Sequence, residues 1–291
     1  MAQGTTPVVQ QRRLRAELRK AREELGYTQK QVADQTGWSP SKVIRLETGA
    51  TAVSTSDAMV LIHLYGIEDK ERVNDLLTVT RTQPEAWWDG YSEHYPQRFI
   101  NFLAYEDTAS VLRQFQAVAI PGLLQTRNYA FGVFDAYLEG PGRIDRAWEV
   151  RSRRQKLLER DDGTRFEFLL DEAVLRRNVG GTDVMIEQLT RIKELNDREN
   201  PLISIRVVPY TAGVIPGMKG SFTIFEYSAE DEDFIVNVEE PNSDVLIRDN
   251  PETTSNYFEA FADLEAIALS RAETSEMLSS VIESMRSSQT G

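Results

Sequence analysis

The sequence contains no cysteine and only two histidines, His63 and His94. Without thiols it forms neither disulfides nor thiolate zinc sites, and it has no cysteine nucleophile. Two histidines far apart in the chain also supply few metal sites and few catalytic triads. We therefore expect neither a metal nor a cofactor.

Long apolar runs are missing as well. No segment approaches the roughly 20 apolar residues of a membrane-spanning helix, and the polar start, MAQGTTPVVQQRR, lacks the apolar core of a signal peptide. We expect a cytoplasmic protein with no membrane partner. The 291 residues, 41% hydrophobic and 27% charged, fit an ordinary folded chain with a small and a larger domain.

The net charge of −13 is unevenly distributed along the chain. Residues 1–50 carry nine Lys or Arg against five Asp or Glu, a net charge of +4, so the remainder carries −17. This asymmetry favours a basic face that meets nucleic acid and an acidic body that turns away from it. The alternative is that helices of unequal charge follow each other by chance.

Helix start and stop signals divide the basic region into short helices. The first helix ends at Gly26 and has one apolar stripe, formed by Leu14, Leu18, Ala21 and Leu25. Thr28 and Gln31 have the spacing of a capping box, which predicts the start of a second helix. Gly37 permits a sharp turn, after which Ser39 caps a third helix. Two short helices joined by a tight turn form a helix-turn-helix.

Two charges in the third helix oppose its dipole. Lys42 lies in the first turn, where a cation is unfavourable unless an anion is near, and a DNA phosphate is one such anion. Glu47 lies near the carboxyl end, where an anion is unfavourable. Arg22, beside the buried stripe of the first helix, is the expected partner of Glu47, and their ion pair would lock the first helix to the third.

The segment 28–49 resembles the phage-repressor or Xre-type helix-turn-helix, whose Arg and Glu core pair falls on Arg22 and Glu47. The resemblance implies that the helix starting at Ser39 enters the major groove of a double-stranded operator. It places base contacts at Pro40, Ser41, Ile44 and Arg45, and phosphate contacts at Thr28, Gln29, Ser39 and Lys42. The alternative is that these side chains form the solvent-exposed surface of a small helical bundle and have no role in binding.

Among the base-contact positions, Arg45 is the strongest candidate for sequence readout, because a guanidinium bonds guanine bidentately. Pro40 replaces a glutamine common in the family and could only pack on a thymine methyl group. Ile44 faces either such a methyl group or the core. These departures leave the operator sequence open.

The domain organisation follows from the same signals. Residues 1–81 are predicted as a five-helix DNA-binding domain, 82–88 as a hinge, 89–286 as an effector or partner-binding domain and 287–291 as a disordered tail. The fold class is α+β, with a helical bundle followed by helices and a mainly antiparallel sheet. In the larger domain, helices are predicted at 105–118, 128–138, 143–160, 173–177, 183–195, 253–269 and 274–285, and strands at 165–171, 203–208, 221–227, 234–238 and 245–247.

The larger domain carries a second resemblance. The segments YEDTA at 105–109, PGLLQT at 121–126, LDEA at 170–173 and VVP at 207–209 recur in the order and spacing of the effector domain of actinobacterial WhiJ-like, antitoxin-like regulators. That resemblance implies a small protein partner encoded nearby. It brings no catalytic residue and no small ligand.

Three features of the larger domain leave alternatives open. The carboxylates Glu106, Asp107, Asp171 and Glu172 suit a metal-dependent nuclease, but such residues beside helix starts are ordinary caps, so we expect no enzyme. The PGLLQT turn is predicted to be structural, with Leu123 and Leu124 buried, and a ligand role is the alternative. An aromatic run forms a core, an interdomain seam or a partner surface; its members are Trp87, Trp88, Tyr91, Tyr95, Phe99 and Phe102.

The leading hypothesis is a homodimeric transcriptional regulator, since one recognition helix reads few base pairs and paired half-sites lie about one turn apart. The alternative is an antitoxin-like protein that sequesters a small protein partner and uses DNA binding for autoregulation.

Overall fold

The structure, a computed structural model, describes residues 7–48, 52–81, 87–138, 142–198, 200–228, 233–239, 245–247 and 251–289, with side chains at most of these positions. The chain forms two compact units, residues 1–100 and 101–291. Their division lies later in the chain than the predicted hinge at 82–88, of which residues 82–86 lie outside the described ranges.

The described part of the smaller unit is mainly helical. Its capping signals act as the sequence predicts: Gln31 N–H donates to Thr28 Oγ1 at 3.2 Å and Thr28 N–H donates to Gln31 Oε1 at 2.8 Å. Ser54 caps the fourth helix in the same way, accepting from Asp57 N–H at 3.1 Å. The helices are α1 Pro7–Glu24, α2 Gln29–Thr36, α3 Pro40–Thr48, α4 Thr55–Leu64 and α5 Lys70–Arg81.

These helices bury one apolar core. Leu14, Leu18 and Ala21 of α1 are buried as predicted, but Leu25 is 48% exposed. The reason is that α1 ends at Glu24, so Leu25 lies in the following turn and leaves the stripe. Tyr27 and Trp38, the residues before the caps of α2 and α3, pack against the same core.

The larger unit combines helices with one sheet. Helix α6, Gln97–Thr108, contains the division between the units. The other helices are α7 Arg127–Tyr137, α8 Arg143–Gln155, α9 Glu172–Arg176, α10 Thr182–Asp197, α11 Pro251–Ile267 and α12 Arg271–Gln289. The strands are β1 Val111–Gln116, β2 Arg165–Asp171, β3 Ile203–Val208, β4 Phe222–Ser228, β5 Asp233–Val238 and β6 Val245–Ile247.

Within the described ranges the sheet has the strand order β3-β2-β1-β4-β5-β6. The pairs β1–β4, β4–β5 and β5–β6 are antiparallel, whereas β1–β2 and β2–β3 are parallel. The parallel pairs follow from the chain order, because α7 and α8 connect β1 to β2, and α9 and α10 connect β2 to β3. The α+β class and the prevalence of antiparallel pairing are confirmed.

The predicted helix at 105–118 is wrong beyond Thr108, since residues 111–116 form the central strand β1. Val111, Leu112 and Phe115 fit a helical stripe as well as a strand. A strand that is buried on two faces lacks the apolar–polar alternation by which an edge strand is recognised. Pairing with β2 on one side and β4 on the other overrides the local pattern.

The predicted disordered tail at 287–291 is helical over residues 287–289, and 290–291 lie outside the described residues. Ser287 Oγ donates to Glu283 O at 3.0 Å and Ser288 Oγ donates to Ser284 O at 2.9 Å. Such back-bonds let serine stay in a helix. The polar composition alone therefore misplaced the end of α12.

The outer edge of β3 is covered by the connection between α11 and α12. Leu269 N–H donates to Val207 O at 2.8 Å, and Val207 N–H donates to Thr274 Oγ1 at 3.2 Å. These bonds satisfy backbone groups that would otherwise offer an open strand edge. On the sheet, Phe261 and Leu264 of α11 pack against Phe115 in an apolar cluster.

Candidate nucleic-acid interface

The helices α2 and α3 meet at a tight turn. Gly37 ends α2 in the left-handed conformation, with φ of 70°, which favours glycine. Ser39 Oγ then accepts from Lys42 N–H at 3.2 Å and caps α3, and the exposed Pro40 occupies the first helical position. The turn thus aims the amino-terminal end of α3 away from the core.

The predicted ion pair between Arg22 and Glu47 is present in the structure. Arg22 Nε donates to Glu47 Oε1 at 2.7 Å and Arg22 Nη2 donates to Oε2 at 3.1 Å. The two side chains are only 10% and 7% exposed. Burial alone would lower the pKa of Arg22, but the hydrogen bond and charge of Glu47 raise it. The pair fastens the carboxyl end of α3 to α1.

Glu47 is also bonded to α2. Gln29 Nε2 donates to Glu47 Oε2 at 2.8 Å, so one carboxylate joins the three helices α1, α2 and α3. Tyr65, which follows the last residue of α4, lies in the same buried surroundings, and its pKa is raised by burial and by the negative charge of Glu47. Gln29, which the resemblance assigns to a DNA phosphate, already has an intramolecular role.

Lys42 also has a partner within the chain. Its Nζ lies 2.6 Å from Asp57 Oδ1 of α4 and 3.9 Å from the centre of the Trp38 ring. The unfavourable position of Lys42 in the first turn of α3 is thus answered by Asp57, and no DNA phosphate is needed to explain it. Asp57 Oδ2 in turn accepts from Ser54 Oγ at 2.8 Å.

The predicted contact residues are divided between two places: Thr28 and Gln29 lie at the start of α2, beside the carboxyl end of α3, whereas Ser39 and Pro40 lie at the start of α3. Thr28 and Ser39 are exposed, and their hydroxyl groups cap these helices. Pro40 is exposed. The backbones of Ser41, Ile44 and Arg45 lie in α3, but their side chains fall outside the described set, so the structure does not place their predicted base contacts.

Sequence reasoning missed Asp57 and Trp38 as partners of Lys42. The separation of 15 residues between Lys42 and Asp57 has no local signature. A cation at an unfavourable helix position was the available signal, and it pointed to an anion without identifying it.

The carboxylates considered for catalysis in the larger unit have structural partners. Glu106 accepts from Arg154 at 2.6 and 2.7 Å in a buried pair, and Asp107 pairs with Arg160 at 2.6 Å. The other two carboxylates are also occupied. Asp171 caps α9, and Glu172 accepts from Arg176 and from the backbone N–H of residue 210. Among the described residues, no group of three His, Asp or Glu is arranged to hold a metal ion.

The PGLLQT turn is built as the sequence predicts. Leu123 and Leu124 are 1% and 0% exposed in a short 3-10 turn, Gly122–Leu124. Gln188 of α10 fixes the turn, since its Nε2 donates to Leu124 O at 2.9 Å and its Oε1 accepts from Thr126 N–H at 2.7 Å. The turn therefore has a structural role, and Thr126 continues it as the cap of α7.

The aromatic run forms a chain of ring contacts. In the smaller unit, Trp88 and Tyr91 are buried, and ring centres are 6.1 Å apart between Trp87 and Tyr91 and 4.9 Å apart between Tyr95 and Phe99. In the larger unit, the Phe102 ring lies 5.6 Å from that of a β4 phenylalanine. These edge and tilted contacts are typical of packed rings.

Comparison with known proteins gives two family matches. Residues 13–76 match the family described as Helix-turn-helix domain, a range that covers most of α1, all of α2, α3 and α4, and part of α5. Residues 99–280 match the family described as Domain of unknown function (DUF5753), which covers more than half of the chain. No curated protein and no solved structure matches this chain. None of the described helices is long and apolar enough to cross a membrane.

Proposed function

Because the chain belongs to the DUF5753 family and carries a helix-turn-helix domain ahead of that region, we propose that it is a sequence-specific DNA-binding transcriptional regulator. Within this class we assign it to the Xre type with a WhiJ-like, antitoxin-like effector domain, on the residues that carry those resemblances. A regulator of this kind acts on operator DNA at the nucleoid, in the cytoplasm.

The observation that carries the proposal is the fixation of α3 through Glu47. This buried carboxylate joins the carboxyl end of α3 to Arg22 of α1 and to Gln29 of α2. A helix held this way is preorganised, so little conformational entropy is lost when it enters a groove. The exposed start of α3 then faces the bases, with Arg45 as the main reader and Pro40, Ser41 and Ile44 beside it.

Selection from random DNA tests this proposal directly. The full chain is incubated with a library of duplexes, and the bound fragments are sequenced. We expect an enriched motif made of two half-sites about one helical turn apart, as a homodimer requires. Recovery of DNA without sequence enrichment, or no recovery at moderate salt, contradicts the proposal.

For the larger unit we propose a sensing or partner-binding role and no catalysis. The structural contacts of Glu106, Asp107, Asp171 and Glu172 support this, because a carboxylate that is already paired with arginine or used as a cap is poorly suited to hold a catalytic metal.

A second candidate function is sequestration of a small protein partner, with DNA binding used for autoregulation. The loop after β3 favours it, because Tyr210, Val214 and Met218 are 56%, 91% and 71% exposed. Three large apolar side chains exposed within nine residues are more than a solvated loop requires. Co-purification of the product of a neighbouring small gene, lost when Val214 and Met218 are changed to Ser, supports it; unchanged co-purification by that variant removes the loop from the interface.

A further inference from the structure

A cavity of about 480 Å³ that is broadly open to solvent lies in the larger unit, between the start of α7, α8 and one face of α10. Its lining includes Thr126 at the cap of α7 and Trp148 of α8. The α10 residues in the lining are Glu187, Thr190, Arg191 and Glu194, which share one helix face. The volume is in the range of natural small-molecule sites.

Arg191 is the unusual residue of this lining. Its Nε is buried and has no hydrogen-bond partner among the described residues, although the side chain as a whole is half-buried. No ion pair within 4.0 Å joins Arg191 to a described carboxylate. The Arg191 side chain also lines the cavity, where a bound molecule can supply acceptors for its other guanidinium N–H groups.

The start of α7 lines the same cavity through Thr126 and Arg127. Thr126 Oγ1 accepts from Tyr129 N–H at 3.3 Å, and Thr126 N–H donates to Gln188 Oε1 at 2.7 Å. The first backbone N–H groups after the cap, those of Arg127 and Asn128, belong to the positive end of an 11-residue helix. Arg191 and this helix end together favour a carboxylate or another small anion.

The remaining charges restrict which anion fits. Arg127 and Arg191 are balanced by Glu187 and Glu194, so the lining has no net charge. Glu187 accepts from Asn128 Nδ2 at 2.7 Å, whereas Glu194 has no such partner among the described residues. A doubly charged phosphate would leave excess negative charge here, but a molecule with one carboxylate and one ammonium group leaves the site neutral.

Trp148 supplies the apolar surface of the cavity. Its ring centre lies 6.3 Å from that of Phe131, and the two planes are inclined by 64°. This contact fixes the indole against α7, so that a flat wall is available for an apolar side chain.

We propose that this cavity binds a small zwitterion of the amino-acid class, with its carboxylate on Arg191 and the start of α7, its ammonium group on Glu194 and an aromatic side chain against Trp148. The PGLLQT turn positions the start of α7. Gln188, next to Glu187 on α10, holds that turn in place through two hydrogen bonds. Binding does not require DNA, so the site goes beyond the proposed function.

The test uses three probes that share one ring. L-phenylalanine, phenylacetate and phenethylamine are titrated into the full chain by calorimetry, with thermal unfolding as a second measurement. L-phenylalanine is expected to bind at least tenfold more tightly than either probe that lacks one charge. Arg191→Met should weaken L-phenylalanine at least tenfold, and Glu194→Gln should reduce it to the affinity of phenylacetate. Arg198→Met, at the exposed carboxyl end of the same helix, is the matched control and should leave all three affinities unchanged.

Thermal unfolding of the ligand-free protein separates a binding role from a structural one. If Arg191 serves to bind a ligand, Arg191→Met removes an unpartnered buried group and raises the Tm of the free protein. Substitutions in binding sites often stabilise the ligand-free protein in this way. A lower Tm for Arg191→Met, no binding of any probe, or unchanged affinity in that variant overturns the proposal. Each of these results leaves the DNA-binding proposal standing, because no DNA is present.

Discussion

At the scale of single residues, Glu47 has the largest structural role in the smaller unit. Its carboxylate accepts from Arg22 and Gln29, and it is almost completely buried. Removing one partner from a buried ion pair leaves an uncompensated charge, which typically costs roughly 3–5 kcal/mol. Glu47 therefore couples the position of α3 to α1 and α2.

A double-mutant cycle measures this coupling. We expect Arg22→Gln and Glu47→Gln each to lower the free energy of unfolding of the smaller unit by roughly 3 kcal/mol, and the double variant to lose clearly less than the sum. The measurement is urea unfolding followed by circular dichroism. Additive losses would show that the pair carries no mutual stabilisation.

Lys42 presents a different case, because its ion pair with Asp57 is partly exposed and would compete with a DNA phosphate for the ammonium group. To contact a DNA phosphate, the Lys42 ammonium group must either leave Asp57 or bring the Asp57 carboxylate close to the DNA backbone. In the second case the carboxylate repels the phosphates. We expect Asp57→Asn to tighten DNA binding several-fold, since a half-exposed ion pair is worth at most about 1 kcal/mol. The salt dependence should also become steeper by roughly one phosphate contact.

The matched control for Asp57→Asn is Asp75→Asn. Asp75 is exposed on α5, and its replacement changes the net charge by the same amount without touching Lys42. If the two variants bind selected DNA equally well at every salt concentration, Asp57 does not restrain Lys42. Weaker binding by Asp57→Asn would instead make Asp57 a support for Lys42.

At the scale of elements, the helices of the smaller unit could be predicted from the sequence, because the residues that start and end them lie close together in the chain. Thr28, Ser39 and Ser54 cap helices through bonds that span two or three residues, and Gly37 ends α2 with a positive φ. The partner of Lys42 was not readable, because its distance along the chain leaves no pattern. The Arg22 and Glu47 pair was inferred from an unfavourable helix position together with a family resemblance.

Strand β1, in contrast, could not be predicted from its local sequence. Its apolar residues fit a helix or a strand, and its buried polar residues, Gln114 and Gln116, hide the side-chain alternation. Only pairing with β2 and β4 decides the conformation. Strands β2, β3 and β6 were predicted with their observed bounds because turn residues flank them.

The loop between β3 and β4 is held on β1 by a close approach. A Cβ atom at Gly217 would lie 2.2 Å from the Phe115 ring, which is fully buried in the apolar cluster under α11. We expect Gly217→Ala to lower the free energy of unfolding of the larger unit by roughly 1–3 kcal/mol, because an overpacked core must shift. Thermal and urea unfolding measure the loss.

Gly90→Ala is the control for this change. A Cβ atom at Gly90 meets nothing within 4 Å, so its stability should stay within about 0.5 kcal/mol of the wild type. Equal stability of the two variants would mean that the loop moves away from Phe115 without cost.

At the scale of the whole molecule, the two units differ in charge. The smaller unit, residues 1–100, is neutral because the net charge of +4 over residues 1–50 is balanced by −4 over residues 51–100, and the larger unit carries the whole net charge of −13. If the chain binds DNA as proposed, the negative charge of the larger unit repels DNA, which favours contact through the basic residues 1–50. We therefore expect the affinity for DNA to depend on the salt concentration.

The most direct test of this account is the affinity of Arg45→Ala for a selected operator and for a scrambled duplex, measured at one fixed salt concentration. Arg72→Ala, an exposed arginine of α5, removes the same charge away from α3 and serves as the control. We predict that Arg45→Ala loses the preference for the operator, by a factor of about ten or more, while unfolding stays unchanged and Arg72→Ala keeps the preference. If Arg45→Ala discriminates between the two duplexes as well as the wild type does, α3 does not read the bases through Arg45 and the account is contradicted.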